Sequence, residues 1–202
     1  MGIDEAGRGP VLGPMVIAGV VMDKAGLDSV TTLGIADSKK LSPNARERLF
    51  GIIEDEAEWI KAYVLWPDII DEHVERNKLN ILECDVFSSL MDSFSGDVDV
   101  FIDSPLKPEV FKEMLLSRLK MKKTLCCSFK ADALYPVVSA ASVIAKVMRD
   151  RIIETLKLEH GDFGSGYPSD PLTIKYVNNI KEIPYFVRTS WKTFKQKNLF
   201  EL

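Results

Sequence analysis

The chain has 202 residues, of which 46% are hydrophobic and 28% are charged, and its formal net charge is −4 at pH 7. These values suit one domain, or one domain with a small appendage, built around an ordinary hydrophobic core. No stretch approaches the ~20 consecutive apolar residues that a membrane span needs. The N-terminus has no basic leader or cleavage site, so we expect a cytoplasmic protein.

The charge is distributed unevenly along the chain. Residues 171–202 contain six basic and two acidic residues, a net charge of +4 that leaves −8 for residues 1–170. A second basic stretch lies between residues 118 and 130. A locally positive face can bind a phosphate backbone although the whole chain is acidic, whereas an ordinary solvated surface is the alternative for each single lysine.

The cysteine and histidine content excludes two common kinds of site. The three cysteines, Cys84, Cys126 and Cys127, are odd in number and include an adjacent pair, which favours reduced thiols over a disulfide framework. The only histidines are His73 and His160. A zinc site of the Cys/His type and a histidine-activated nucleophile are therefore not indicated.

Strand and helix patterns alternate along the chain. Strands are predicted at residues 2–6, 11–22, 60–66, 98–103 and 124–129 from their apolar, β-prone runs. Helices are predicted at residues 43–59, 67–94 with a break near 77–80, after Pro108, at 136–160, and twice after residue 171. This alternation indicates an α/β fold.

Two adjacent acids stand at the tip of the first predicted strand. Asp4 and Glu5 are followed by Gly7, Arg8 and Gly9. Carboxylates hold hard divalent cations, and glycines let backbone amides approach a ligand closely. Because neighbouring strand residues point to opposite faces, joint use of both side chains needs a strand end or a bulge, or a backbone carbonyl as ligand. The pattern predicts a metal-and-phosphate site.

Two further acids follow other strands. Asp103 ends the fourth predicted strand, and Asp132 lies just past the fifth. Since strand ends meet at one edge of a sheet, Asp4, Asp103 and Asp132 can converge. Close, buried carboxylates raise one another's pKa unless a cation neutralises them, and Mg²⁺ or Mn²⁺ suits such oxygen ligands. A capping or surface role is the alternative for any one of these acids.

Six blocks of sequence, in order, resemble the type 2 ribonucleases H and specifically the ribonuclease HII family. The blocks are Gly2–Gly9, Asp37–Ser42, Val100–Ser104, Lys130–Asp132 leading into Ser139–Lys146, Gly166–Pro168, and Arg188–Trp191. They extend from the first residues almost to the end of the chain. The gap between Asp103 and Asp132, and the Ser-Trp-Lys-Thr sequence after Thr189, look closer to the archaeal members.

The resemblance implies a fold and an activity. The fold would be a ribonuclease-H-like mixed sheet flanked by helices, with a catalytic domain at residues 1–170 and a helical extension at residues 171–202 packed on it. The activity would be metal-assisted hydrolysis of RNA in RNA–DNA hybrids, with cutting 5′ of ribonucleotides embedded in duplex DNA. The products would carry a 3′-hydroxyl and a 5′-phosphate, and the cofactor would be Mg²⁺ or Mn²⁺.

The resemblance also implies roles for individual residues. Asp4, Glu5, Asp103 and Asp132 match the catalytic metal-binding acids of the family. Gly7, Arg8 and Gly9 match the loop that senses the ribose 2′-hydroxyl, the group that distinguishes RNA from DNA. Tyr167 matches a tyrosine that packs on the adjoining deoxyribose, and Lys39 matches a phosphate-binding lysine. From the residues alone, Gly7–Gly9 is an ordinary tight turn and Tyr167 a loop anchor.

The last residues and the competing functions leave alternatives open. Residues 196–202 loosely resemble a sliding-clamp-binding tail, and a frayed amphipathic terminus is the other interpretation.

Three other functions compete with this one. A transposase or integrase core uses similar metal chemistry but a different acid spacing. Ribonuclease HIII usually carries an added N-terminal domain. A catalytically silent hybrid-binding module predicts binding without turnover. We expect an active, monomeric nuclease.

Overall fold

The computed structural model describes residues 1–35 and 42–198. The strands are β1 Gly2–Ala6, β2 Met15–Val21, β3 Trp59–Leu65, β4 Val100–Asp103 and β5 Leu125–Ser128. The helices are α1 Lys24–Thr32, α2 Pro43–Glu56, α3 Pro67–Glu75, α4 Leu79–Asp92, α5 Pro108–Leu116, α6 Ala131–Leu134, α7 Pro136–His160, α8 Pro171–Asn179 and α9 Lys192–Asn198. The α/β architecture predicted from the alternation is confirmed.

The five strands form one mixed sheet in the order β3-β2-β1-β4-β5. β1 pairs antiparallel with β2 along its whole length, from Gly2 opposite Val20 to Ala6 opposite Val16. β1 pairs parallel with β4, which pairs parallel with β5. The carboxyl ends of β1, β4 and β5 therefore lie side by side at one edge of the sheet.

The packing divides the chain into two compact units, each discontinuous in sequence. The first unit comprises residues 1–6, 16–63 and 80–147, and the second comprises residues 7–15, 64–79 and 148–202. The predicted boundary at residue 170 stays a prediction, because these units group residues by spatial contacts and follow no single break in the chain. None of the helices within residues 1–35 and 42–198 is long and apolar enough to cross a membrane.

In the first unit, the start of α7 packs closely on β1. A Cβ atom added at Gly2 would overlap the backbone carbonyl of Val137, so only glycine fits there. Ser139, Ala140 and Ala141 of α7 are buried, as the run of small residues predicts. Ser139 also donates a 2.6 Å hydrogen bond to the carbonyl of Ile35. This close approach places the first turns of α7 beside the strand that carries Asp4.

In the second unit, a separate apolar core surrounds the later part of α7. Its buried members include Val11, Leu12, Ile153, Phe163 and Phe186. Phe163 and Phe186 stack with ring centroids 5.3 Å apart. The loop at residues 7–14 is thus anchored by the apolar side chains of residues 11 and 12.

The second predicted strand was too long, and helices α1 and α6 were not predicted. The second strand was expected at residues 11–22, but β2 begins at Met15. Gly13 adopts a positive φ of 86°, and Pro14 has no N–H to donate, so residues 11–14 cannot continue a regular ladder. Helix α1 was not predicted, although Asp23 caps it by accepting a hydrogen bond from the amide of Gly26 at 2.8 Å.

Candidate metal centre and glycine loop

Three carboxylates gather at the sheet edge of the first unit. Oxygen atoms of Asp4, Asp103 and Asp132 all lie within 4.8 Å of one another. Asp4 stands on β1, Asp103 is the last residue of β4, and Asp132 lies in α6, four residues after the end of β5. The strand order brings them together, since β1, β4 and β5 are consecutive neighbours in the sheet.

Backbone and hydroxyl groups orient these acids. The amide of Glu5 donates a 2.8 Å hydrogen bond to Oδ1 of Asp4, and the Ser142 hydroxyl donates to the same carboxylate. The amide of Ala131 donates to Oδ1 of Asp103 at 3.2 Å. The residue before Ala131, Lys130, has a φ of 56°, a left-handed conformation that turns the chain from β5 into α6.

The electrostatics of the cluster favour a cation. The pKa of Asp4 is raised to about 7, first because burial disfavours its charged form and then because the Asp103 carboxylate repels it, with a smaller contribution from Asp132. The hydrogen bonds from Ser142 and Glu5 act in the opposite direction and do not cancel the effect. Three ionised carboxylates at this spacing repel one another strongly unless positive charge lies between them.

The donor set fits a hard divalent cation. Oxygens on opposite sides of a magnesium ion, each about 2.1 Å from it, are separated by roughly 4.2 Å. The oxygens of the three carboxylates lie within 4.8 Å of one another, a separation comparable with that value. An all-oxygen donor set suits Mg²⁺ or Mn²⁺ better than the softer metals, which prefer sulfur and imidazole.

Glu5 is not a member of this carboxylate group. The pairing of β1 with β2 continues without a bulge through Ala6, so consecutive side chains of β1 point to opposite faces of the sheet. The strand end or bulge that joint use of Asp4 and Glu5 would require is therefore absent at this point. A metal-binding role for Glu5 stays a prediction, and it would have to use the backbone carbonyl or a rearranged side chain.

The predicted ribose-sensing loop and Tyr167 lie together in the second unit. Gly7 has a positive φ of 86°, and a Cβ atom there would overlap the Arg149 side chain and lie 2.6 Å from the carbonyl of Pro14. Gly9 is exposed, and a Cβ atom there would lie 3.9 Å from Cε1 of Tyr167. The structure thus brings Gly7, Gly9 and Tyr167 into one cluster with Arg149.

Arg149 was missed in the sequence. It is buried, donates to the carbonyls of Leu12 and Pro14 at 3.2 Å each, and its guanidinium carbon lies 5.3 Å from the centre of the Tyr167 ring. Burial lowers its pKa from the usual arginine value. A signal was present, since Arg149 lies four residues after buried Ala145 and four before buried Ile153 on the apolar stripe of α7.

Part of the predicted site and tail falls outside the residues that the structure describes. Lys39 and the block Asp37–Leu41 lie outside the described residues, as do residues 199–202 of the tail. Arg8, the remaining member of the glycine loop, is half-buried, and its carbonyl accepts a hydrogen bond from Arg188 at 3.1 Å.

Comparison with known proteins decides the family. A family model described as Ribonuclease HII matches residues 1–194. The chain belongs to the ribonuclease HII family. It is 44% identical over 201 residues to the ribonuclease HII of Thermococcus onnurineus, covering 96% of this chain and 88% of that protein. The resemblance inferred from the six sequence blocks is confirmed, and the chain is a ribonuclease H enzyme.

Two solved structures from archaeal sources share the fold closely. The ribonuclease H2 of Pyrococcus horikoshii OT3 is 38% identical with a TM-score of 0.91, covering 98% of this chain and 96% of that one. The ribonuclease HII in a complex with PCNA from Archaeoglobus fulgidus is 37% identical with a TM-score of 0.88, covering 97% and 95% of the two chains. The ribonuclease-H-like fold predicted from the resemblance is confirmed.

Proposed function

We propose that this protein is an endoribonuclease that hydrolyses RNA in RNA–DNA hybrids and cuts on the 5′ side of ribonucleotides embedded in duplex DNA. The observation that carries the proposal is the group of three carboxylates, with oxygens within 4.8 Å of one another, in a chain of the ribonuclease HII family. The products would carry a 3′-hydroxyl and a 5′-phosphate.

Asp4, Asp103 and Asp132 would hold the divalent cations, Mg²⁺ or Mn²⁺, with Glu5 contributing as the fourth predicted acid. When bound, paired cations of this kind lower the pKa of the attacking water and stabilise the departing oxygen in phosphodiester cleavage. The raised pKa of Asp4 supports this role, because a carboxylate that is reluctant to ionise alone gains most from a nearby positive charge.

The glycine loop would recognise the ribonucleotide. Gly7, Arg8 and Gly9 would contact the ribose 2′-hydroxyl and its flanking phosphates through backbone groups, since the absence of a Cβ leaves room for close approach. Tyr167 would pack on the deoxyribose that follows, as an aromatic ring can stack on nucleic acid. Its position beside Gly9 and over Arg149 supports this assignment. Lys39 would contact phosphate.

A cleavage assay on three matched duplexes tests the function. The substrates are DNA with one embedded ribonucleotide, a continuous RNA–DNA hybrid, and the all-DNA duplex of the same sequence. We expect cutting of the first two with Mg²⁺ or Mn²⁺ and none with a chelator, with the single-ribonucleotide duplex cut on the 5′ side of the ribose. Absence of metal-dependent cutting, or equal cutting of the all-DNA duplex, would contradict the proposal.

Further parts of the proposal concern partners and location. A sliding clamp would bind residues 196–202, supported by the PCNA complex of the Archaeoglobus fulgidus relative. Deleting these residues should abolish clamp binding in a pull-down assay, and retained binding would contradict this role. We also propose a monomer in the cytoplasm, which sedimentation and cell fractionation would check.

A further inference from the structure

Arg188 is a fully buried charged residue whose hydrogen bonds all go to one short segment of backbone. Its side chain has no exposed surface, yet it carries a guanidinium group. Nη2 donates to the carbonyl of Gly7 at 2.6 Å, Nη1 to the carbonyl of Arg8 at 3.1 Å, and Nε to the carbonyl of Gly13 at 3.0 Å. A buried arginine is costly unless its donors are satisfied, so these three bonds account for its position.

Trp191, three residues later, completes the set. Its indole Nε1 donates to the carbonyl of Gly9 at 3.0 Å, and its ring lies 4.8 Å from the Arg188 guanidinium carbon. The segment between them is itself fixed, because Asp71 accepts hydrogen bonds from the amide and hydroxyl of Thr189 and the hydroxyl of Ser190. Two side chains from residues 188–191 therefore bind the three consecutive carbonyls of residues 7–9.

The geometry of the peptide bond means that holding these carbonyls also fixes the direction of the amides that follow them. In a trans peptide the carbonyl and the following N–H point in opposite directions. The loop contains no cis peptide bond. Holding the carbonyls of Gly7 and Arg8 against the guanidinium thus directs the amides of Arg8 and Gly9 away from it. The third carbonyl, that of Gly9, precedes Pro10, which has no N–H, so holding this carbonyl orients no further amide.

The charge of Arg188 adds to the effect. Burial and the nearby Arg149 lower the pKa of Arg188 to about 9, which leaves the guanidinium charged at neutral pH. A cation bound to a carbonyl polarises the peptide unit and strengthens the N–H at its other end as a donor. Two aligned, polarised amides form a suitable site for a phosphate oxygen or a sugar hydroxyl.

We propose that Arg188 and Trp191 form a carbonyl clamp that aims the Arg8 and Gly9 amides at the ribonucleotide, so that they are positioning residues for sugar discrimination. This inference rests on the proposed role of the glycine loop. It goes beyond that role by assigning the discrimination to two residues about 180 positions away in the chain that need not contact the substrate.

The test compares affinities for two duplexes that differ in one hydroxyl group. Binding of the single-ribonucleotide duplex and of the matching all-DNA duplex is measured by fluorescence anisotropy, with Ca²⁺ replacing the catalytic cation and a gel confirming that the substrates stay intact. The variants are Trp191→Phe, which removes the indole donor while keeping an aromatic ring beside Arg188, and Arg188→Lys, which keeps the charge but not the fork. The control is Trp66→Phe, since Trp66 packs on the same apolar core and contacts Tyr185.

We expect the ratio of the two affinities to fall about three- to tenfold in Trp191→Phe, the effect of one lost hydrogen bond, and at least as much in Arg188→Lys. Trp66→Phe should keep the wild-type ratio. The proposal is overturned if either folded variant keeps the wild-type ratio of the two affinities. This includes an equal loss of affinity for both duplexes, which a merely structural role predicts. If Arg188→Lys does not fold, Trp191→Phe decides alone. A wild-type protein that binds both duplexes equally would instead refute the proposed function of the loop.

Discussion

Replacing Asp4 by asparagine should lower the rate of ribonucleotide cleavage by about a thousandfold or more. The substitution keeps the size of the side chain and an oxygen that accepts the hydrogen bond from the Glu5 amide, but removes the charge that a cation requires. Loss of roughly 4 kcal/mol of transition-state stabilisation, within the range expected of metal-ion catalysis, corresponds to that factor. The measurement is kcat/KM on the single-ribonucleotide duplex.

The same substitution should stabilise the metal-free protein at high pH. The pKa of Asp4 is raised to about 7 in the folded state, above its value of 3.8 in a model compound. The folded state therefore binds the proton more tightly than the unfolded state, and this carboxyl makes the fold progressively less stable as the pH rises from about 4 to about 7. In the presence of a chelator, Asp4→Asn should raise Tm at pH 8 and leave it nearly unchanged at pH 4.

A surface acid provides the control. Asp28 is exposed on α1 of the same unit, and Asp28→Asn should leave the cleavage rate unchanged. If Asp4→Asn cuts at a rate near that of the wild type, the three-carboxylate group is not the catalytic centre. A Tm at pH 8 lower than that of the wild type would contradict the destabilisation of the charged Asp4 carboxylate by burial and by its acidic neighbours.

Replacing Gly7 by alanine should strongly destabilise the second unit. The φ of 86° at Gly7 disfavours any L-residue, and the added Cβ would overlap the Arg149 side chain and lie 2.6 Å from the Pro14 carbonyl. We expect a loss of about 2–4 kcal/mol in the free energy of unfolding, from backbone strain plus displacement of a buried side chain. The measurement is urea denaturation.

The rate of cleavage by Gly7→Ala should fall together with its stability. The loop carries the amides that the proposed function assigns to the ribose, and misplacing a binding group by about 1 Å can reduce a rate about a hundredfold. We therefore expect kcat/KM of Gly7→Ala to fall by at least that factor under conditions in which the variant is fully folded.

Substitutions at two other glycines distinguish backbone strain from the steric overlap of the added Cβ. Gly161 has a similar φ of 82° with nothing within 4 Å of an added Cβ, so Gly161→Ala isolates the backbone strain, about 1–2 kcal/mol. Gly51 lies within α2 with open space around it, and Gly51→Ala should stabilise the fold by up to about 1 kcal/mol. A Gly7→Ala variant no worse than Gly161→Ala, with normal cleavage, would show that the shape of the loop does not matter.

Much of the fold could be predicted from the sequence because local signals, such as helix caps, agreed with the structure. The proline and capping residues at positions 42, 43 and 67 mark helix starts, and the predicted helix at 136–160 matches α7 residue for residue. The convergence of Asp4, Asp103 and Asp132 followed from their places at or just past strand ends. What the residues alone did not supply was the strand order, which makes β1, β4 and β5 neighbours.

The rest depended on contacts that are distant in sequence. The regular pairing of β1 through Ala6, which separates the Glu5 side chain from Asp4, depends on β2. Arg188 lies 181 residues from the carbonyl of Gly7 to which it donates, and nothing near it in sequence indicates that a charged side chain would be fully buried. The early start predicted for the second strand failed because the positive φ of Gly13 depends on the tertiary contacts of the loop.

The most direct test of this account is a crystal structure of the protein soaked with Mn²⁺ and measured at the manganese absorption edge. We expect an anomalous difference peak among the carboxylates of Asp4, Asp103 and Asp132, about 2.0–2.2 Å from their oxygens. The peak should be absent in crystals of Asp4→Asn. Mn²⁺ bound elsewhere in well-ordered crystals, with the three carboxylates holding no metal, would contradict it.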